Sequence, residues 1–434
     1  MIRIDVLPDD VLLEIFDFCT DVDPSVGFKR RLEAWHLLVH VCRRWRSIVF
    51  GSPRSLDLRL VCTTKTPARD TLDVWPALPL IIRTVRTWTS GVDEIIVALG
   101  QSNRVCEVEL ADLPGFQLKE VVAAMQVPFP ELTVLRLSSD PNGRTTPIDP
   151  DLFMGGSAPR LQVFESDLIL FPGLPKLLFS ATHLDHLDLR KIPQSRYFSP
   201  ETMAALLSVL SSLKTLFLHF QLPQSHPDWV NRRPPPSKRS VVPALVHFHF
   251  KGVIEYFGDL VTFVDVPHLS NLNITINQID FDGPRLAQFI SRTPILEDRD
   301  AHVDFDFSAA TVRLPSPLKD FAMGISCSEP DWQLSSIAQV CNSCLPPLSM
   351  IEDLYISYGE LVWLSTIENN LLEFLLPFST VKNLYLPKEF VQSIMPSLQE
   401  IVRTEVLPSL QNIFMEGLEP LEPFQESIGQ FIAT

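Results

Sequence analysis

A short apolar motif recurs along most of this chain and constrains its fold more than any other feature. In each of the stronger copies an apolar residue is followed three and five residues later by two more, as in Leu184, Leu187 and Leu189. The last two positions alternate as in a strand with one buried face. The copies begin at residues 105, 132, 161, 184, 213, 245, 269, 295, 318, 351, 381 and 410, the first, third, eighth and ninth being weaker. Their spacing of 23 to 33 residues predicts stacked repeats.

Helix-forming stretches lie between the motifs. Ser199 and Pro200 open one of them, because serine caps a helix and proline suits its first position. Further helices are predicted over 117–126, 284–293, 332–344 and 367–376, and a first strand over 52–60. A doubly wound α/β domain also alternates strands and helices. The stereotyped strand motif and the lack of a Gly-rich phosphate turn after any strand favour the repeat array.

The first fifty residues differ in pattern from the rest of the chain. Pro8 followed by Asp9 and Asp10 is typical of a helix start, because acidic groups favour the positive end of the helix dipole. An apolar stripe follows, formed by Val11, Leu12, Ile15 and Phe16. A second helical stretch begins near Phe28, with an apolar stripe formed by Trp35, Leu38, Cys42, Trp45 and Val49.

Residues 5–50 closely resemble the F-box, through Leu7-Pro8, the amphipathic helix and the segment from Val41 to Arg46. The resemblance implies three short helices that dock on the Skp adaptor of a Skp–cullin–F-box ligase. The stretch from Thr20 to Arg31 is longer than the family's usual turn, which leaves the course of the second helix open. The adaptor-contacting positions of the family correspond here to Leu7, Pro8, Leu12, Ile15, Phe16, Val41, Cys42 and Trp45.

Residues 51–434 resemble the divergent leucine-rich repeats of F-box proteins, especially those of fungi. The implied fold class is α/β, with the three-helix F-box followed by a solenoid whose parallel strands form a concave sheet. The asparagine usual after the strand motif is mostly missing, so irregular turns are expected. Strand residues between the core positions would form a target-binding face, with Asp188, Phe217, His247, His249, Asn273, Tyr355, Tyr385 and Phe414 as its main candidates.

These resemblances imply a substrate-recognition subunit that binds the Skp adaptor, works with a cullin and captures an unknown protein target. It would have no enzymatic activity and no cofactor. A scaffold that binds the same adaptor without causing degradation stays open as an alternative. A formal charge of −16 disfavours nucleic acid, and no apolar run is long enough for a membrane span. Scattered cysteines, odd in number, favour a cytoplasmic or nuclear protein with reduced thiols.

Three weaker signals invite other interpretations. Cys341 and Cys344, with Cys327 upstream, have the spacing of a metal or redox pair, but a fourth ligand is missing and an apolar helix explains them better. Residues 232–239 form a basic, proline-rich segment, interpreted as a solvated insertion with a nuclear-import or peptide-docking role as the alternative. His247 and His249 share a strand face without further ligands, so they are interpreted as surface histidines.

Overall fold

The chain forms two compact units, Met1–His186 and Leu187–Thr434, and each is an α/β structure with mostly parallel strands. The boundary lies inside strand β6 (His186–Ile192), and the predicted boundary at residue 50 lies inside the first unit. The computed structural model describes residues 6–20, 35–53, 56, 58–65, 67–84, 91–140, 147–169, 171–193, 198–221, 239–276, 283–293, 299–306, 309–316, 319–326, 330–345, 348, 350–358, 371–387 and 406–416.

In the first unit, five parallel strands lie side by side in chain order. They are β1 (Leu60–Thr63), β2 (Leu80–Arg83), β3 (Val105–Leu113), β4 (Val134–Ser139) and β5 (Val163–Asp167). The α-helices are Asp9–Thr20, 35–39, Arg43–Gly51, Ala68–Val74, Val92–Leu99 and Gly115–Ala124, and short 3-10 helices span Phe153–Gly156 and Lys176–Ser180. The strand predicted over 52–60 is placed too early: Leu56 and Leu58 are buried, but pairing begins at Leu60.

The second unit continues the alternation of strands and helices after β6. Its strands are β7 (Thr215–Phe220), β8 (Ser240–Val241), β9 (His247–Gly252), β10 (Val264–Asp265), β11 (Asn271–Ile276), β12 (Asp300–Asp306), β13 (Ala309–Pro315), β14 (Asp320–Ser326), β15 (Asp353–Tyr358), β16 (Asn383–Pro387) and β17 (Asn412–Glu416). Its helices are Pro200–Val209, Ile254–Phe263, Gly283–Arg292, Pro330–Cys344 and Leu371–Leu375. Ser199 caps the first of these through the Thr202 N–H, as the sequence predicts.

Strands β12 to β14 depart from the parallel order that the sequence predicts. The order in the sheet is β7-β9-β11-β14-β13-β12-β15-β16-β17, and β13 is antiparallel to both neighbours. The physical reason is connection length, because two or four residues can join only antiparallel strands, whereas a parallel crossover needs a dozen or more. The motif positions at 295 and 318 lie outside the described residues. Ala301 pairs with Leu354, which is the second position of the motif that starts at 351. The motif at 295 would put residue 298 at that position, so the buried residues of β12 lie three positions later in the chain than this motif implies.

The residue that opens nine of the twelve motifs forms a tight turn ahead of its strand. The N–H of Leu213 donates to the carbonyl of Leu210 at 3.2 Å, and Leu213 is completely buried. The same bond to the carbonyl three residues earlier is made by Leu132, Leu161, Leu184, Leu245, Leu269, Ile351, Val381 and Leu410. In each of these repeats the strand begins two residues after the turn, so the motif sets where pairing starts.

Hydrogen bonds between neighbouring repeats follow each turn. The N–H of Val246 donates to Lys214 at 2.9 Å, and the N–H of Ser270 donates to Val246 at 3.0 Å. Near the C-terminus Lys382 donates to Glu352 and Gln411 donates to Lys382, both at 2.8 Å. Because equivalent backbone groups meet, equivalent side chains stand beside each other in successive strands.

The N-terminal helices are held together by a few polar contacts. The apolar stripe from Trp35 to Val49 is not one helix, because Cys42 has an extended backbone and its Sγ accepts from the Trp45 N–H at 3.4 Å. Arg44 joins this segment to the first helix by donating to Asp9 at 2.6 and 2.9 Å and to the Leu7 carbonyl at 2.5 Å. The described residues therefore contain three helical segments in this region. Residues 21–34, which lie outside the description, separate the first two, and residues 40–42 separate the last two.

The buried ring of Trp35 attaches these helices to the first strands. Its Nε1 donates to the Arg59 carbonyl at 3.2 Å, and its ring meets Phe50 and Trp75 with centroids 6.0 and 5.4 Å away. Aromatic pairs of this kind stabilise beyond their buried area by about 0.5–1.5 kcal/mol. The helices are thus packed on the strands of the first unit without a long linker.

We expect Leu213→Ala to lower the free energy of unfolding of the second unit by about 2–5 kcal/mol, because it removes a fully buried side chain at a turn. Urea denaturation followed by circular dichroism measures the change. Val209→Ala is the control, since that neighbouring side chain is 40% exposed and its loss should change the free energy by less than about 1 kcal/mol. Equal losses in both variants would contradict this account of the turn.

Candidate protein-binding surfaces

The structure separates the predicted adaptor-binding residues into accessible and buried ones. Pro8, Val41 and Cys42 are exposed, and Leu7, Ile15 and Trp45 are partly accessible. Leu12 and Phe16 are completely buried, and the Phe16 ring lies 4.6 Å from that of Trp45. Those two residues form the small core between the helices, because the apolar stripe that marks a docking helix also marks the face packed inward.

Further apolar side chains on the same helices were not singled out by sequence and are open to solvent. Phe18 is 83% exposed, and Val6 and Leu37 are each 74% exposed. Apolar groups concentrated on so small a helical unit are costly in water unless a partner covers them. The exposed fraction, which periodicity alone does not provide, distinguishes these residues from the core.

In the first unit, the side chains on the exposed strand face form ion pairs with each other. Glu107 is mostly buried between Arg59 and Arg83, and Arg83 also lies 3.0 Å from Glu109. On the next strands Arg136 donates to Glu165 at 2.8 Å. Burial tends to lower the pKa of Arg136, but its hydrogen bond to the Glu165 carboxylate and the charges of nearby glutamates raise the pKa above its ordinary value. On this face the arginine and glutamate side chains neutralise each other's charges.

In the second unit, strand register aligns nine side chains in one continuous row. From β7 to β17 they are Phe217, His249, Asn273, Ala322, Arg313, His302, Tyr355, Tyr385 and Phe414. Five of the predicted target-face residues that lie in this row carry an aromatic or imidazole ring. The row is therefore the strongest candidate contact surface among the described residues.

The end of this row is a stack of four rings, which we call the aromatic row: His302, Tyr355, Tyr385 and Phe414. Successive ring centroids are 4.5, 4.1 and 4.7 Å apart, with interplanar angles of 8–12°. Within the stack the rings cover each other's faces, and the Tyr385 hydroxyl lies 3.5 Å from an Asp353 carboxylate oxygen. Phe414 remains 45% exposed.

Carboxylates and amides line both sides of the aromatic row. On one side Asn412 donates to Asn383 at 2.8 Å, and Asn383 donates to Asp353 at 2.7 Å. On the other side Asp304 accepts from the Ser357 hydroxyl and lies 3.5 Å from the Arg313 guanidinium. Burial, the hydrogen bond to Tyr385 and nearby aspartates raise the pKa of Tyr355 to about 12. Its hydroxyl therefore stays protonated at neutral pH.

A second ring cluster lies at the start of the nine-residue row. The rings of Phe217 and His249 are stacked 4.2 Å apart, and the Arg190 guanidinium lies 5.6 Å from the Phe217 centroid. Burial, and to a lesser extent His219 and His247, lowers the pKa of His249. The cluster therefore combines two stacked rings with the cationic Arg190 guanidinium.

Two predicted target-face residues need correction or refinement. Asp188 is only 2% exposed and is held by Arg190 at 2.6 Å, so it orients Arg190 and is not itself a contact residue. His247 lies two residues before the row on the same face, level with Thr215 and Asn271. His302 and Arg313 were missed, because the motif at 295 is out of register and β13 belongs to an unpredicted hairpin.

The weaker sequence signals do not add a second kind of site. Cys341 is buried in its helix, whereas Cys327 and the Cys344 side chain lie outside the description. No group of three potential metal ligands occurs among the described residues. Of the basic segment only Arg239 is described, 3.9 Å from Asp265. Within the described ranges, no helix has both the length and the apolarity to cross a membrane.

Comparison with known proteins adds no family assignment. No protein-family model matches the chain, and no curated protein is significantly similar to it. The surfaces described above are therefore interpreted from their own geometry and from the sequence motifs.

We expect the imidazole of His249 to titrate with a midpoint below its ordinary value of about 6.5, because burial disfavours its charged form. The unfolded chain then binds more protons at this site than the folded chain, so stability falls as the pH drops below about 6.5. NMR titration of the imidazole measures the midpoint.

The control variants are Phe217→Ala, which uncovers His249 and should move its midpoint back toward 6.5, and Val209→Ala, which should leave it unchanged. A wild-type midpoint at or above 6.5 would show that the imidazole is not shielded by its neighbours.

Proposed function

We propose that this protein is an F-box substrate receptor, which binds a Skp adaptor through its N-terminal helices and a protein target through its strands. The observation that carries the proposal is the contact between the two F-box-like motifs: Arg44 of the second motif holds Asp9 and the Leu7 carbonyl beside the first. The same contacts leave Pro8 and Val41 exposed. Two motifs that are separated in sequence thereby contribute to one accessible surface.

The repeated turns support a leucine-rich-repeat reading of the remaining chain. Strands β1 to β5 are parallel and neighbour each other in chain order, whereas a doubly wound sheet reverses its strand order at a switch point. The turn before each strand recurs with the same hydrogen bond in both units. In this interpretation the three antiparallel strands β12, β13 and β14 interrupt an otherwise regular solenoid.

The proposed receptor acts by proximity and not by its own chemistry. The F-box surface would attach the protein to adaptor and cullin, while the strand face holds the target near a conjugating enzyme of the complex. The function requires no cofactor and belongs in the cytoplasm or nucleus, where free thiols such as Cys42 and Cys62 stay reduced. A scaffold without degradation uses the same contacts, so it differs only in the fate of the target.

We expect the double variant Pro8→Ala and Val41→Lys to recover at least tenfold less Skp adaptor from cells than the wild type. Both residues are exposed, so the substitutions should remove the contact surface without unfolding the helices. Affinity purification with quantitative mass spectrometry measures recovery. Val209→Lys is the control, because it places the same charge on an exposed apolar position of the second unit. Failure of the wild type to recover adaptor would refute the proposal.

Target abundance separates a receptor from a scaffold. For a receptor, proteins that bind the second unit should accumulate when this protein is deleted and when the proteasome is inhibited. For a scaffold, their abundance should be unchanged under both conditions while the adaptor is still recovered.

A further inference from the structure

We propose that the aromatic row and its flanking aspartates bind an extended, lysine- or arginine-rich segment of the target protein. This inference rests on the proposed function only in calling the partner a target. Binding of the basic segment itself requires only this chain. It names the chemistry of the partner, which the repeat pattern leaves open.

The charge on this part of the strand face favours a cationic partner. Asp300, Asp304 and Asp306 lie on β12 and Asp353 lies on β15, whereas Arg313 is the basic side chain described beside them. Four carboxylates and one guanidinium give this patch a formal charge of −3. At the strand starts, Glu352 lies 3.0 Å from Lys382 and 3.5 Å from Arg299, which adds one positive charge, so the eight described side chains named here sum to −2.

The spacing of the carboxylates favours a peptide over a small cation. Asp300 and Asp304 are four residues apart on one strand, which separates their positions by about 13 Å. A single ion cannot contact both, and the described residues hold no three-ligand metal group. Side chains of an extended peptide leave its backbone on alternating sides. A segment lying along the aromatic row would therefore direct cationic groups to both lines of aspartates.

The aromatic row has a suitable length and rigidity to be the contact surface for such a segment. It crosses four strands, a span of about 14 Å, which an extended chain covers with four or five residues. Stacking fixes the rings, so binding orders few additional side chains, and the hydroxyls of Tyr355 and Tyr385 lie among the aspartates. Since the ring faces are already covered by each other, attraction for a cation comes mainly from the carboxylates.

The ion-paired face of the first unit gives a useful contrast. There Arg136 and Glu165, or Arg83 and Glu109, neutralise each other. These arginines and glutamates are equal in number, so that face has no excess of carboxylates and is not expected to select a cationic peptide.

Fluorescence anisotropy with fluorescein-labelled hexa-arginine tests the proposal on the full chain. We expect the wild type to bind this probe at least tenfold more tightly than labelled hexa-glutamate at about 0.15 M salt, where charges interact over roughly 8 Å. Asp304→Asn with Asp353→Asn should weaken hexa-arginine binding at least tenfold, because asparagine keeps the size and hydrogen-bond acceptor of each side chain but removes its charge.

Matched variants distinguish this site from general attraction to an acidic protein. Asp73→Asn with Glu373→Gln removes two charges from exposed helix positions and should change hexa-arginine affinity less than twofold. Asp304→Lys with Asp353→Lys should reverse the preference and bind hexa-glutamate. Circular dichroism confirms that each variant is folded.

Three results would overturn the proposal: no preference of the wild type for hexa-arginine, equal losses in the two charge-neutralised variants, or no reversal in a folded lysine variant. Adaptor recovery provides a separate readout. If peptide binding fails while the adaptor is recovered, only this inference is lost; if the adaptor is not recovered but the peptide binds, only the proposed function is lost.

Discussion

The backbone hydrogen bonds that join the turns of successive repeats hold the strands that follow them in register. In the second unit, the bonds from Val246 to Lys214 and from Ser270 to Val246 join equivalent positions of successive repeats. A shift of one residue would move every side chain of a strand to the opposite face. The apolar core, the nine-residue row and the two lines of aspartates therefore all depend on the same backbone contacts.

Much of the fold follows from the apolar motif, because burial of Leu213, Leu216 and Leu218 leaves little freedom in where the strand begins. The β12–β14 hairpin could not be predicted from that motif, since its strands obey only the alternation common to any half-buried strand. That alternation is visible in Ala301, Val303 and Phe305. It indicates a strand but not the direction of its neighbour, which the short connections determine.

The sequence predicts part of the candidate surfaces, because alternation along a strand determines which side chains lie on its exposed face. Period-two patterning correctly assigned Tyr355 and Tyr385 to the exposed side of their strands, but it could not show that four rings stack or that Asp188 is covered. On the N-terminal helices, the motif did not distinguish buried Phe16 from exposed Val41. Such distinctions depend on contacts between segments far apart in sequence. The F-box and leucine-rich-repeat assignments remain proposals that rest on motif and geometry.

The alignment of one row residue per strand has a consequence for how recognition can diverge. His302, Tyr355, Tyr385 and Phe414 each come from a different strand, and the backbone bonds that set their positions do not involve the side chains. Replacement of one ring thus changes that side chain and its stacking contacts while leaving the backbone of the adjacent strands in place. Such a surface can acquire a new preference one strand at a time, with the scaffold tolerating each intermediate.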